Sequence, residues 1–241
     1  MRHVIAATLL AGLAALPSPA QFWIGGDYQS WSKQECERLL ANSPWARTRS
    51  VSQVLLLPLG PPGDYPVAGR EVTPQVFYTV RFLSALPIRQ ALVRFSDLAR
   101  GDRDVPLEED AARQARAERF IQQTYPHHII VQLLFTTNAR AYDQELLTFW
   151  QTRGIERLKQ EVLLHGGGPM VPPSEIVIVP GGHGEIHLIF PRAVDGRPVV
   201  TAAARSLRLE FPHPPIGVLA EERIFLEFRI RDMVVDGKLI L

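Results

Sequence analysis

Residues 183–187 of this 241-residue chain read His-Gly-Glu-Ile-His. His183, Glu185 and His187 are spaced by two, and on a β-strand residues i, i+2 and i+4 share a face. Two imidazoles and a carboxylate converging in this way suit a zinc ion, and the function they would carry is that of a metal-dependent hydrolase. A structural reading competes. Ile186, Leu188 and Phe190 take the alternate positions, as in a strand with one wet face and one core face. His183 also lies in a Pro-Gly-Gly-His-Gly run, a turn signal where strand geometry stops. The structural reading is favoured, so no catalytic residue, metal ligand or cofactor-binding residue is assigned.

The other chemistry-bearing residues point the same way. His165-Gly166-Gly167-Gly168 resembles the oxyanion-hole segment of lipases and esterases, but that chemistry needs a G-x-S-x-G nucleophile elbow, and the chain has none. The segment reads as a flexible turn. Arg113, Arg116 and Arg119 fan over one side of a helix, where pairs such as Glu109–Arg113 explain them without an anionic partner. His127-His128 points to opposite faces of a strand and makes a poor ligand set. Phosphate loops, dinucleotide fingerprints and paired-cysteine metal motifs are missing. Cys36 is the only cysteine, so no intrachain disulfide is available. It reads as a small buried hydrophobe.

The elements around these residues are legible from periodicity. Strands are expected over 51–57 and 73–83, with Val76, Tyr78, Val80 and Phe82 on the core face of the second. Residues 58–69 are a proline- and glycine-rich loop. Ser84 is expected to cap a helix that holds Pro87 in its first turn and stops at Gly101. A second helix runs from about 106 to 124, with an alanine-rich inner face that would let it lie close to a neighbour. Residues 128–135 read as a strand buried on both faces. Leu146, Leu147 and Trp150 suggest a short helix, and 159–164 leans to strand. Strands are then expected over 175–179, 185–190, 206–211, 222–233 and 238–241, the last folded back on the strand before it by the Asp236-Gly237 turn. The fold class is therefore α+β, mainly β: an antiparallel β-sandwich-like domain over 49–241, with a helical insertion at about 84–124.

An N-terminal anchor segment at 21–48 precedes it. Ser32 and Glu35 form a capping box, and Trp31 with Cys36 has the spacing of a hydrophobic staple. Cys36, Leu39 and Leu40 share one face, Asn42 is a candidate left-handed stop, and Pro44 forbids continuation. Trp31 and Trp45 bracket the helix, and both are expected to be buried. The Trp31…Cys36…Leu39-Leu40…Ser43-Pro44-Trp45 pattern resembles a group of exported bacterial proteins of unknown function. Ser84-Ala85-Leu86-Pro87, Phe190-Pro191-Arg192 and the run from Met233 to Leu239 are similar to that group too. The resemblance implies export and brings no activity with it.

Export is also what the first residues predict. Arg2, an apolar run over 4–16 that is too short to span a bilayer, and Ser18-Pro19-Ala20 make a signal peptide, with cleavage expected after Ala20. Loss of Arg2 leaves 25 basic and 25 acidic residues, a balance that excludes a nucleic-acid surface. Nothing downstream reaches membrane-spanning length. A hydrophobic content of 46% supports a sizeable core without disulfides. The reading reached is an exported, secreted or periplasmic, non-enzymatic binding or structural domain with a protein, peptide or carbohydrate partner. The metal-dependent hydrolase is the alternative.

Overall fold

The computed structural model describes residues 22–52, 73–101, 106–181 and 184–241. Residues 1–20, expected to be a signal peptide, residues 53–57 of the first expected strand, the expected loop at 58–69 and His183 lie outside the described residues.

A 3-10 turn, Tyr28–Ser30, leads into α1 (Lys33–Ala41). The Ser32 hydroxyl accepts from Glu35 N at 3.3 Å, and the Glu35 carboxylate accepts from Ser32 N at 2.8 Å, closing the capping box. The bonds from Ser32 hold the Glu35 carboxyl below its usual range. Trp31, Cys36, Leu39 and Leu40 are all buried, and burial pushes the Cys36 thiol up to about 11. Asn42 is not a left-handed stop. Its φ is −150°, because it is already paired in a hairpin of β1 (Asn42–Ser43) with β2 (Ala46–Ser52). Its side-chain oxygen accepts from Arg47 across that hairpin.

The chain continues through β3 (Gln75–Phe82), α2 (Leu86–Arg100), α3 (Leu107–Gln122), β4 (His128–Thr137), α4 (Arg140–Thr152), α5 (Ile155–Glu161) and β5 (Leu163–His165). Then come β6 (Glu175–Ile178), β7 (Glu185–Pro191), the short β8 (Ala193–Val194) and β9 (Arg197–Pro198), β10 (Ser206–His213) and β11 (Glu222–Arg229). A 3-10 turn, Ile230–Met233, and the pair β12 (Val234–Val235) and β13 (Lys238–Leu239) follow. The main sheet has the order β1-β2-β3-β4-β7-β6 and is antiparallel throughout. Since β3 and β4 are neighbours, α2 and α3 form an insertion between them, as the periodicity predicts. The alternate residues Val76, Tyr78, Val80 and Phe82, with Ile129 to Phe135 and Ile186 to Phe190 in the same phase, bury one face. A second sheet, β11-β10-β5, covers that face. Phe82 meets Phe228 at 4.9 Å and Tyr78 meets Phe211 at 5.1 Å, both edge-on. The fold is thus α+β, with two antiparallel sheets packed face to face.

Several local expectations give way to tertiary contacts. Ser84 does not cap α2, because it continues the strand pairing; Ala85 takes the N-cap position and makes no side-chain bond. The Ser84 N–H donates to Ile130 O at 3.4 Å and the Ser84 hydroxyl accepts from Ile130 N at 3.3 Å. The alanine face of α3 buries no residue, and Arg113 bonds Asp110 and reaches across to Asp97 of α2 instead of pairing with Glu109. In β4 one face is fully buried, while on the other Ile130 and Leu134 are only half-buried. Residues 159–161 stay helical, since Arg153 and Arg157 grip Glu161 at 2.8 and 3.2 Å, and the chain turns to strand only at Leu163.

The expected strand over 222–233 stops at Arg229. Strict alternation would point Met233 outward with the odd-numbered residues. The 3-10 turn, with three residues per turn, brings Ile230 and Met233 to the same side, and both are buried. Asp236 and Gly237 do form a two-residue hairpin, with φ of 49° and 74°. It pairs β13 with β12 and not with the long strand β11.

Candidate functional site

The sheet register sets Arg81, Gln132 and His187 side by side across β3, β4 and β7, with Glu185 two residues along from His187 on the same face. Arg81 Nε donates to Leu40 O at 2.7 Å and its Nη1 donates to Gln132 Oε1 at 3.3 Å. That fixes the amide, so Gln132 Nε2 donates to Glu185 Oε1 at 2.6 Å. His187 Nε2 lies 2.7 Å from the same oxygen. A chain of orienting bonds therefore runs from α1 to β7, and burial holds the Arg81 guanidinium below its usual pKa. Glu185 and His187 are close together, as the spacing by two requires, on a face where about a quarter of each side chain is exposed. Glu185 Oε1 is shared between Gln132 Nε2 and His187 Nε2. Zinc at His187 Nε2 would break the contact to Glu185. Among the described residues no three His, Cys, Asp or Glu side chains are placed to hold a metal. Elemental analysis of tag-free protein is expected to find no stoichiometric zinc; about one zinc per chain, lost on His187→Ala, would reinstate the hydrolase.

The remaining sequence candidates are held by structural contacts. His165-Gly166-Gly167-Gly168 is not a loose turn. It ends β5 and bridges to Val200, and a Cβ at Gly168 would meet Pro198 O at 1.9 Å. The glycines are there because two backbones run in contact. His127 and His128 are both exposed at the start of β4, and Arg116 and Arg119 are exposed on α3.

A cleft of about 770 Å³ opens between α4 and the β6–β7 end of the main sheet. The helix contributes Arg140, Gln144, Leu147 and Gln151, a stripe at helical spacing. The sheet contributes Phe135, Ile178 and Val179. Asp143 also lines it, but its carboxylate accepts from Thr137 N at 2.8 Å, which anchors the start of the helix to the end of β4. Arg140 is exposed and has no partner among the described residues. Apolar walls with a few polar groups, at this size, are what ligand clefts of roughly 300–1,000 Å³ present.

A second buried polar pair lies between the sheets. His213 of β10 is fully buried, and its Nδ1 lies 2.7 Å from the Tyr78 hydroxyl. The other ring nitrogen, Nε2, has no partner among the described residues. Burial pulls the His213 pKa down to about 4 and pushes Tyr78 above its ordinary value. Sequence reasoning missed both the cleft and this pair. The α4 stripe was open to view, since Gln144, Leu147 and Gln151 repeat at helical spacing. The strand opposite it was not, because no local pattern says which strand ends the sheet.

No protein-family model, curated protein or solved structure matches the chain.

Proposed function

We propose that the chain is an exported, non-enzymatic binding domain, and that its ligand sits in the cleft between α4 and β6–β7. The single observation that carries this is the cleft: about 770 Å³, walled by Phe135, Leu147, Ile178 and Val179, and edged by Gln144, Gln151 and an Arg140 that has no partner among the described residues. It offers packing area and hydrogen-bonding groups, and among its described lining residues no nucleophile and base are in contact. Export is supported by the charged, apolar and small-residue sequence of 1–20 and by the resemblance carried by the Trp31–Trp45 segment. No described helix is long and apolar enough to cross a membrane.

The test is a variant that fills the cleft with charge. Leu147 is half-buried, and Leu147→Glu places a carboxylate among the apolar walls of the cleft. In a screen of small amphipathic compounds and short peptides, wild type is expected to yield binders that weaken at least tenfold against Leu147→Glu, compared at a temperature where the variant is folded. Binders indifferent to the substitution would place the site elsewhere.

A further inference from the structure

The second sheet ends on β11, which pairs with β10 on one side only. Ile230 N donates to Arg205 O at 3.3 Å, one step beyond the Ser206–Arg229 pair of the register. Hydrogen-bonded pairs alternate along an antiparallel ladder. Phe228, Leu226 and Ile224 therefore bond β10, and Arg223, Phe225, Glu227 and Arg229 turn their main-chain groups outward. Those outward groups have no partner among the described residues. All four residues are exposed, Phe225 at 42%. β2 approaches β11 from the other sheet and makes no main-chain bond to it. Both strands of the β10–β11 pair and the chain between them lie wholly within the described residues.

The exposed residues of this edge are ordered. In steps of two from Glu221 to Arg229 they run Glu, Arg, Phe, Glu, Arg, an order that reverses in charge about Phe225. We propose that the partner of β11 is β11 of a second copy of this chain, antiparallel to it, with a two-fold axis at Phe225. Phe225 then faces Phe225 of the copy, and Arg223 faces Glu227 of the copy on each side of the axis. Arg229 faces Glu221, whose carboxylate already bonds Arg153 at 3.0 Å and so adds less. Within one chain Arg223 reaches Glu210 only at 3.4 Å, while Arg208 holds that carboxylate at 3.0 Å. Glu227 and Arg229 have no side-chain partner among the described residues. Arg208 lies over the Phe225 ring at 4.2 Å and still leaves the residue open. Opposite charges and paired aromatics stabilise facing positions across strands, and like charges destabilise them. A slip of two residues one way sets Arg223 against Arg229, and the other way sets Glu221 against Glu227. Charges that merely blunt an edge have no need of this reversed order. Pairing through one strand buries little area, so the dimer belongs at the weak end of specific interfaces. The surface shares no residue with the cleft between α4 and β6–β7, so the two stand or fall separately.

Sedimentation velocity of the purified full chain is expected to show a monomer–dimer equilibrium between about 1 μM and about 1 mM. Amide exchange is expected to slow at Arg223, Phe225 and Glu227 as dimer forms. Arg223→Glu sets like charges across the axis, and so does Glu227→Arg, so each variant alone is expected to dimerise at least tenfold more weakly. Mixed, the two variants regain opposite charges at both facing positions, and a heterodimer of about wild-type affinity is expected. Damage to the fold would not be repaired by mixing. A wild-type chain that stays monomeric to about 1 mM overturns the proposal. So does a dimer that leaves the Arg223, Phe225 and Glu227 amides unprotected, and so do folded single variants that dimerise as wild type does or that fail to pair when mixed. Residues 53–72, which follow β2, lie outside the described residues. Protection of the same amides in a dilute monomer would mean that the edge is covered within one chain, and it too overturns the proposal. The wild-type exchange measurement needs no variant, and it decides the matter if either substitution prevents folding.

Discussion

Trp45→Ala is expected to lower the unfolding free energy by about 3–5 kcal/mol, among the larger losses a single substitution causes. Trp45 is fully buried and lies edge-on to Trp23 at 6.0 Å. Its indole N–H donates to Ile240 O at 2.5 Å, so one side chain ties the N-terminal segment to residues 195 positions away. Truncation removes that bond and leaves a void the size of an indole, bounded by sheet residues that cannot collapse into it. The same tie predicts a paired result. Removing 237–241 strips the Ile240 acceptor and the buried Leu241, and should lower the melting temperature and expose residues prone to association. Denaturant titration of the substitution, with melting and size-exclusion profiles of the truncation, checks both. A loss below about 1 kcal/mol for Trp45→Ala would mean the anchor is a loose arm.

The second large effect is on acid stability. In the fold, burial holds the His213 pKa at about 4, below the ordinary 6.5. The folded imidazole stays neutral while the unfolded chain takes up a proton, so the unfolded state binds more protons between those values. The contribution is fully present above about 6.5 and is lost as pH falls toward 4. At roughly 1.4 kcal/mol per pKa unit, the loss across that window is about 3 kcal/mol. Glu35 and Glu161, whose pKa values are lowered by their partners, lose stability only below the ordinary 4.5, so neither contributes to the change from 6.5 to 4.5. His213→Gln keeps an acceptor for the Tyr78 hydroxyl and does not ionise. Stability against pH should fall over this range in the wild type and flatten in the variant. Equal slopes in the two proteins would show that His213 does not set the acid limit.

The elements whose signals are local were legible in the sequence. The Ser32/Glu35 box, the alternation from Val76 to Phe82 and the Asp236-Gly237 turn each rest on residues within one element, and each is in place. The readings that failed depended on distant partners. Ser84 looked like a cap until Ile130 claimed its hydroxyl, Asn42 looked like a stop until Arg47 paired with it, and 230–233 looked like strand until Met233 was drawn into the core. The site was less legible still. Glu185 and His187 share a face as their spacing implies, but the Gln132 amide that orients the carboxylate comes from a strand more than fifty residues earlier. The cleft needs α4 and β6 together, and only the sheet order places them there. His213, in a His-Pro-Pro run that reads as a turn, gave no sign that its ring points between two sheets.

The central claim is that the chain binds its ligand in the α4/β6–β7 cleft. Amide chemical-shift mapping during titration with compounds and peptides chosen without reference to the structure tests it most directly. Perturbations are predicted to cluster at Thr136, Arg140, Gln144, Leu147 and Gln151 on one wall and at Ile178, Val179 and Gly181 on the other, with Glu185 and His187 unmoved. Perturbations that gather on Gln132, Glu185 and His187, or on the α2–α3 pair, and leave the cleft silent would contradict it.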